Sequence, residues 1–136
     1  MERINKVLAR STDFSRREID KFIMEGRIKV DGKLLTTQGI KVSPSNKISI
    51  DETIIKIKKI TELNSLYIFH KPRGCLVTKS DDKNRKTVYD FLGPKQKNLL
   101  SIGRLDYNTE GLLLFTDNGE FKRKMELPKN NFERVY

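Results

Sequence analysis

One cysteine, Cys75, and one histidine, His70, are all that this 136-residue chain offers of the residues that pair in disulfides or hold soft metals. A lone cysteine excludes an internal disulfide and suits a reducing compartment. Without a Cys/His cluster there is no metal-ligand spacing to read. No stretch approaches the roughly 20 consecutive apolar residues of a membrane-spanning helix. The start, Met1-Glu2-Arg3-Ile4-Asn5, has no apolar signal core. Internal repeats and low-complexity tracts are absent too. Hydrophobic residues make up 36% of the chain, so any core is small, and a domain of roughly 60 residues buries little enough to be marginal. These absences read as a cytoplasmic protein with no membrane partner.

Positive charge is abundant. Lys and Arg number 28 against 18 Asp and Glu, a net charge of +10. An anionic partner is implied, with nucleic acid ahead of an acidic membrane surface.

The first 60 residues read as a small α/β unit. Ile4, Val7 and Leu8 recur at helical spacing between Arg3 and Arg10. Ser11-Thr12-Asp13 breaks that helix. Ser15-Arg16-Arg17-Glu18 then matches a capping box, and Ile19, Phe22 and Ile23 line one face of the helix it opens. Gly26 is placed to stop it. Arg27–Val30 alternates as a strand, Asp31-Gly32 signals a hairpin, and Lys33-Leu34-Leu35 pairs back. Extended stretches begin again at Val42 and at Lys47–Ile50, and Ile54–Ile60 alternates apolar and basic residues. The domain reading is 1–60, a linker at 61–65, and a second unit over 66–136.

The second unit opens on a buried strand, Leu66–Phe69, and a turn, His70-Lys71-Pro72-Arg73-Gly74. A polar loop from Asp81 leads to a short helix over Thr87–Leu92. Strands follow over Leu99–Leu105 and Leu112–Thr116, then a helix over Glu120–Leu127, and a further strand begins at Glu133–Tyr136. If the backbone stays extended one residue past the first of these strands, Arg104 and Asp106 would project to the same side and Leu105 to the other. Such a pair at the mouth of a buried strand is either a structural ion pair or an active site. The Thr- and Gly-rich turn after it suits close approach of a ligand, and the Leu run that follows supplies a rigid mount. His70 and Cys75 read as structural, the latter as a small core residue.

Arg16 and Arg17 occupy the first turn of a helix, where cations are unfavourable by about 0.3–1 kcal/mol each. A bound phosphate would reverse that sign. Residues 1–60 carry 14 Lys/Arg against 8 Asp/Glu, a net +6. The alternative is a solvated surface balanced by Glu18, Asp20 and Glu25.

"SRREIDKFIMEGRIKVDGK", after a short helix and before a small hairpin, resembles the S-four RNA-binding domain. The resemblance implies that Ser15, Arg16, Arg17, Arg27, Lys29 and the Asp31-Gly32 turn track RNA phosphates. "FHKPRGCLVT", "IGRLDYNTEGLLLFTDNGEF" and "LPKNNFERVY" resemble three successive motifs of the RNA pseudouridine synthases. The match is to the RsuA/RluB branch, which carries an N-terminal S-four domain. It implies an α+β chain whose second unit is the first part of a mixed, largely antiparallel catalytic sheet.

The resemblance also implies the chemistry. Asp106 would be the catalytic aspartate that starts cleavage of the uridine glycosidic bond, as nucleophile or as base. The uracil would turn and rejoin through carbon, with no metal or organic cofactor required, which agrees with the lack of a Cys/His cluster. Arg104, Thr109 and Tyr136 would bind substrate, with Tyr136 against the base, while Lys71, Pro72 and Gly74 would shape the floor. The implied partner is ribosomal RNA, of the large subunit by "LDYNTEGLLLFT" and "ERVY", and the implied state a monomer. Leu127 stands where the family commonly has His, and Arg134 where Lys is frequent. The family's sheet runs on beyond Tyr136 to a basic partner for the aspartate, so the chain reads as a fragment. Three functions are carried forward: an RNA pseudouridine synthase, a non-catalytic RNA-binding protein, and an inactive remnant.

Overall fold

The computed structural model describes residues 1–59 and 65–136. They form two compact units, Met1–Lys59 and a second that ends at Tyr136. The chain is α+β in both. Of the linker expected at 61–65, all but Ser65 lies outside the described residues.

In the first unit β1 (Glu2–Arg3) leads into α1 (Ile4–Ser11), and α2 (Arg16–Met24) follows. α1 ends one residue later than its periodicity suggests. The Thr12 N–H and hydroxyl both donate to the Leu8 carbonyl and close the last turn. The capping box forms as expected: Glu18 N–H donates to Ser15 Oγ at 3.2 Å, and Ser15 N–H donates to Glu18 Oε2 at 2.7 Å. At the other end Gly26 adopts φ +68°. Arg27 N–H reaches the Phe22 carbonyl and Gly26 N–H that of Ile23, which is the Schellman pattern. Ile4, Val7 and Leu8 of α1 meet Ile19, Phe22 and Ile23 of α2 in the core. Each such side chain contributes roughly 1.5–3 kcal/mol by leaving water.

That core is floored by a four-stranded antiparallel sheet in the order β3-β2-β5-β6, from β2 (Ile28–Val30), β3 (Lys33–Leu34), β5 (Ile48–Ile50) and β6 (Thr53–Ile54). Asp31 and Gly32 at φ +49° and +78° make the β2–β3 turn, a pair of left-handed residues that matches strand twist. The β5–β6 turn has the same form, with Asp51 at +47° and Glu52 at +67°. β4 (Lys41–Val42) leaves this sheet and pairs with β1. Of the alternating stretch expected over Ile54–Ile60, only Ile54 joins a named strand; Ile55 N–H still reaches the Ile48 carbonyl. Ile60 lies outside the described residues.

The second unit has a three-stranded antiparallel sheet ordered β7-β9-β8: β7 (Leu66–Lys71), β8 (Leu100–Ile102) and β9 (Gly111–Thr116). Phe69 on β7 and Leu113 and Phe115 on β9 pack from one face onto Cys75, Val77, Val88, Tyr89 and Leu99. The Tyr89 hydroxyl donates to the Leu99 carbonyl at 2.9 Å, so its polar end is satisfied inside. α3 (Gly119–Glu126) packs on β8 and β9, with Asn118 accepting from the Glu120 and Phe121 N–H groups at its start.

Three expectations are corrected. The strand over Leu99–Leu105 is confined to Leu100–Ile102, because Gly103 at φ +75° turns the chain out of the sheet. Thr87–Leu92 forms a single 3-10 turn, Val88–Phe91, opened by the Thr87 N–H on the Asp90 carboxylate. Glu133–Tyr136 has no strand partner among the described residues and is irregular.

Candidate active site

Register brings the site together. Lys71 pairs with Gly111 at one end of the β7–β9 ladder, and β8 runs toward the same end, its last residue Ile102 pairing with Leu114, three positions from Gly111 on β9. The loop 103–110 therefore bridges β8 and β9 beside the turn that follows β7.

Lys71 is wholly buried. A buried ammonium is costly unless its protons are all met. Here Nζ donates to the carbonyl oxygens of Thr109 (2.7 Å), Asp106 (2.9 Å), Pro72 (3.0 Å) and Tyr107 (3.3 Å). Three N–H donors thus serve four acceptors, one bond being shared. Gly74 N–H adds a bond to the Tyr107 carbonyl at 2.8 Å. Gly74 sits at φ +80°, which a side chain would strain. Thr109 N–H closes the turn on the Asp106 carbonyl at 3.0 Å. Cys75 is buried, with its thiol on the Pro72 carbonyl.

The Asp106 carbonyl points inward and the residue is exposed. No side chain among the described residues pairs with its carboxylate. Arg104 is likewise exposed and unpaired among them, so the two do not form an ion pair. The loop also means that they do not share one face of a strand. Tyr136 is 96% exposed and lies outside the cluster. Arg73 makes an open ion pair with Glu110 at 3.7 Å.

Two residues that the sequence analysis did not single out bear on the loop's other end. Glu126 accepts from the Gly103 N–H at 2.7 Å, and Lys122 donates to the Ser101 carbonyl at 2.7 Å. Helical i,i+4 spacing was the only sign that these two could pair with each other.

The expected RNA-binding cations of the first unit have unlike surroundings. Arg16 and Arg17 are exposed. Arg27 stacks 3.9 Å over the Phe22 ring and forks onto Asp51, with Glu25 beside it. Lys29 pairs with Glu52 at 2.5 Å. Asp51 holds the Arg27 guanidinium above its ordinary range, and Arg27 in turn lowers the Asp51 carboxyl. The Ser15 hydroxyl and N–H are both used in the capping box.

Among the described residues no group of three or more His, Cys, Asp or Glu could hold a metal ion. No helix there is long and apolar enough to cross a membrane.

Residues 65–136 match the family model described as RNA pseudouridylate synthase, and residues 2–48 match the S4 domain. The chain belongs to the RNA pseudouridine synthase family. Among its relatives is the ribosomal large subunit pseudouridine synthase B of Bacillus subtilis (strain 168), 40% identical over 136 residues, all of this chain and 54% of that one. The protein of the same name from Salmonella typhi is 42% identical over 139 residues, covering 99% of this chain and 47% of that one. A crystal structure of a pseudouridylate synthase superposes with a TM-score of 0.50 at 25% identity, over 96% of this chain and 54% of that chain. The chain spans about half the length of the curated pseudouridine synthases it matches.

Proposed function

We propose that this chain serves the conversion of uridine to pseudouridine in ribosomal RNA, with Asp106 as the catalytic carboxylate. The observation that carries this reading is the division of labour within one residue: the Asp106 carbonyl is gripped by buried Lys71 while its carboxylate faces solvent without a protein partner among the described residues. A structural aspartate spends its carboxylate on the fold. This one does not.

A target uracil must first leave its stack, at a cost of a few kcal/mol. The Asp106 carboxylate then attacks the sugar or removes a sugar proton, and the bond from sugar C1′ to base N1 breaks. The uracil turns and forms a bond from C1′ to C5. C5 gives up its proton and N1 ends protonated, so the change is an isomerisation that needs no second substrate. Arg104, on the same loop, would hold the RNA around the vacated position. Tyr136 would pack on the base and Thr109 would line the pocket. Lys71, Pro72 and Gly74 shape the floor by fixing the 106–109 turn.

In the same reading the unit up to about residue 60 grips RNA through Arg16 and Arg17. Ser15 sets the helix start, and Arg27 and Lys29 contribute less because Asp51 and Glu52 already hold them. The large-subunit RNA is the favoured substrate, in line with what the curated relatives are named for. A monomer working in the cytoplasm completes the proposal.

The test is pseudouridine formation on unmodified ribosomal RNA by the 136-residue chain and by Asp106→Asn. Product from the first and none from the second, with RNA affinity within about twofold, is expected, since an amide keeps the shape and loses the charge. Product from the variant would show that the carboxylate is not the reacting group. RNA bound by both with product from neither would favour the non-catalytic RNA-binding reading.

A further inference from the structure

The loop that carries Asp106 is anchored twice. Lys71 holds its far end through the carbonyls of Asp106, Tyr107 and Thr109. The near end is held from α3. Glu126 Oε1 accepts the Gly103 N–H at 2.7 Å, Lys122 Nζ donates to the Ser101 carbonyl at 2.7 Å, and the two side chains form an i,i+4 ion pair. Gly103 sits at φ +75° with nothing within 4 Å of where a Cβ would stand. Its backbone angle, not crowding, is what glycine supplies there. Only Arg104 and Leu105 separate Gly103 from Asp106.

We propose that Glu126, braced by Lys122, is a positioning residue for Asp106. It fixes the direction in which the chain leaves β8 and so the place of the carboxylate three residues on. The inference rests on the reading of Asp106 as the reacting group. A hydrogen bond to an ionised acceptor is roughly twice as strong as a neutral one. Catalytic groups tolerate displacements of only about 0.5 Å. The groups facing the Glu126 carboxylate are Lys122 on its own helix, the Gly103 N–H at the end of β8, and Arg134 from the C-terminal segment. Partial burial pushes the carboxyl up, but the Lys122 and Gly103 hydrogen bonds and the charges of Lys122 and Arg134 outweigh it and hold it below the usual carboxylate range. The grip is therefore present at neutral pH and is lost only in acid.

The experiment follows backbone amides by NMR in the 136-residue chain and measures turnover on unmodified ribosomal RNA with the same samples. The wild type is compared with Glu126→Ala, Glu126→Gln and Asp106→Asn. Acid titration is expected to move the Gly103 amide in the wild type and not in Glu126→Gln. Glu126→Ala is expected to shift the amides of Gly103, Arg104 and Asp106 while those of Leu113 and Phe115 stay in place. It should lower kcat about tenfold or more with KM within about twofold, and Glu126→Gln, which keeps an acceptor oxygen, should recover most of it. Two results overturn the proposal: a Gly103 amide indifferent to Glu126→Ala, or one that moves with kcat unchanged. Activity that survives Asp106→Asn would instead sink the reading of Asp106, and the Gly103 titration would be untouched by it. If the wild type makes no product, the amides of Arg104 and Asp106 decide: unmoved in Glu126→Ala, they overturn the positioning role.

Discussion

The Lys71 ammonium lies 2.9 Å from the carbonyl oxygen of Asp106, 35 positions later in the chain. A buried cation thereby sets the backbone of a residue whose side chain faces water. Replacing it tests how much of the second unit depends on that one group.

Lys71→Met is close in length and takes one donor from each of four carbonyls; those of Asp106, Tyr107 and Pro72 keep a second donor, and that of Thr109 is left without one among the described residues. Each buried polar group left unmet costs about 1–3 kcal/mol. The second unit should lose about 1–3 kcal/mol, read as a lower urea midpoint for the amides of β7 and β9. The amides of the first unit should melt where they did before. A midpoint within experimental scatter of the wild type would show that water replaces the ammonium at no cost.

Arg16 and Arg17 should behave unlike Arg27 and Lys29. Neutralising the first pair to Ala should flatten the slope of log affinity against log salt by roughly 1.4–1.8, the release of counterions from two phosphates. Arg27→Ala should change that slope little. Its fork is already on Asp51 and its face is already on Phe22, so the loss should appear as a lower thermal midpoint instead. Equal slopes for all four single Ala variants would show that the ion pairs with Asp51 and Glu52 open on binding.

Asp81 gives a pH signature of its own. The Arg85 guanidinium and the N–H groups of Arg85 and Lys83 hold its carboxyl down at about 2, from an ordinary 3.8. A carboxyl lowered by folding stabilises the fold above its unfolded value and loses that contribution as pH falls through the folded one. The amides of Lys83 and Arg85 should therefore stay put from neutral pH to about 4 and shift as pH falls toward about 2. Asp81→Asn should abolish that titration. The variant should melt below the wild type at pH 7, and the two should converge near pH 2. A gap of equal size at both pH values would remove the carboxylate from the explanation.

Features set by neighbours in sequence were legible in advance. The Ser15–Glu18 box, the Gly26 stop and the Asp31-Gly32 turn each rest on residues within a few positions of one another. The apolar faces of α1 and α2 follow from their periodicity. Asp106 stood out because of the motif around it, and the structure adds that it lies on a loop. That loop was misread as strand because Leu, Ser, Ile and Leu suit a strand on either side of Gly103. Only the glycine's left-handed angle separates the two. The β1–β4 pairing left no local trace, since two residues on each side suffice to make it. The cage around Lys71 was invisible for a different reason: its acceptors are backbone carbonyls, which every residue possesses. Glu126 was hidden likewise, because its partner is the backbone N–H of a glycine.

The β5–β6 turn places two residues in a row at left-handed angles without a glycine, at about 1–2 kcal/mol each. The same turn delivers two carboxylates to the neighbouring strand, where Arg27 and Lys29 meet them. The charge of those two cations is cancelled where it stands, although residues 1–60 remain at +6. The unit's field is therefore lopsided. A polyanion drawn in from a distance feels a torque as well as a pull, and it turns toward the cations that no turn has neutralised before it makes contact.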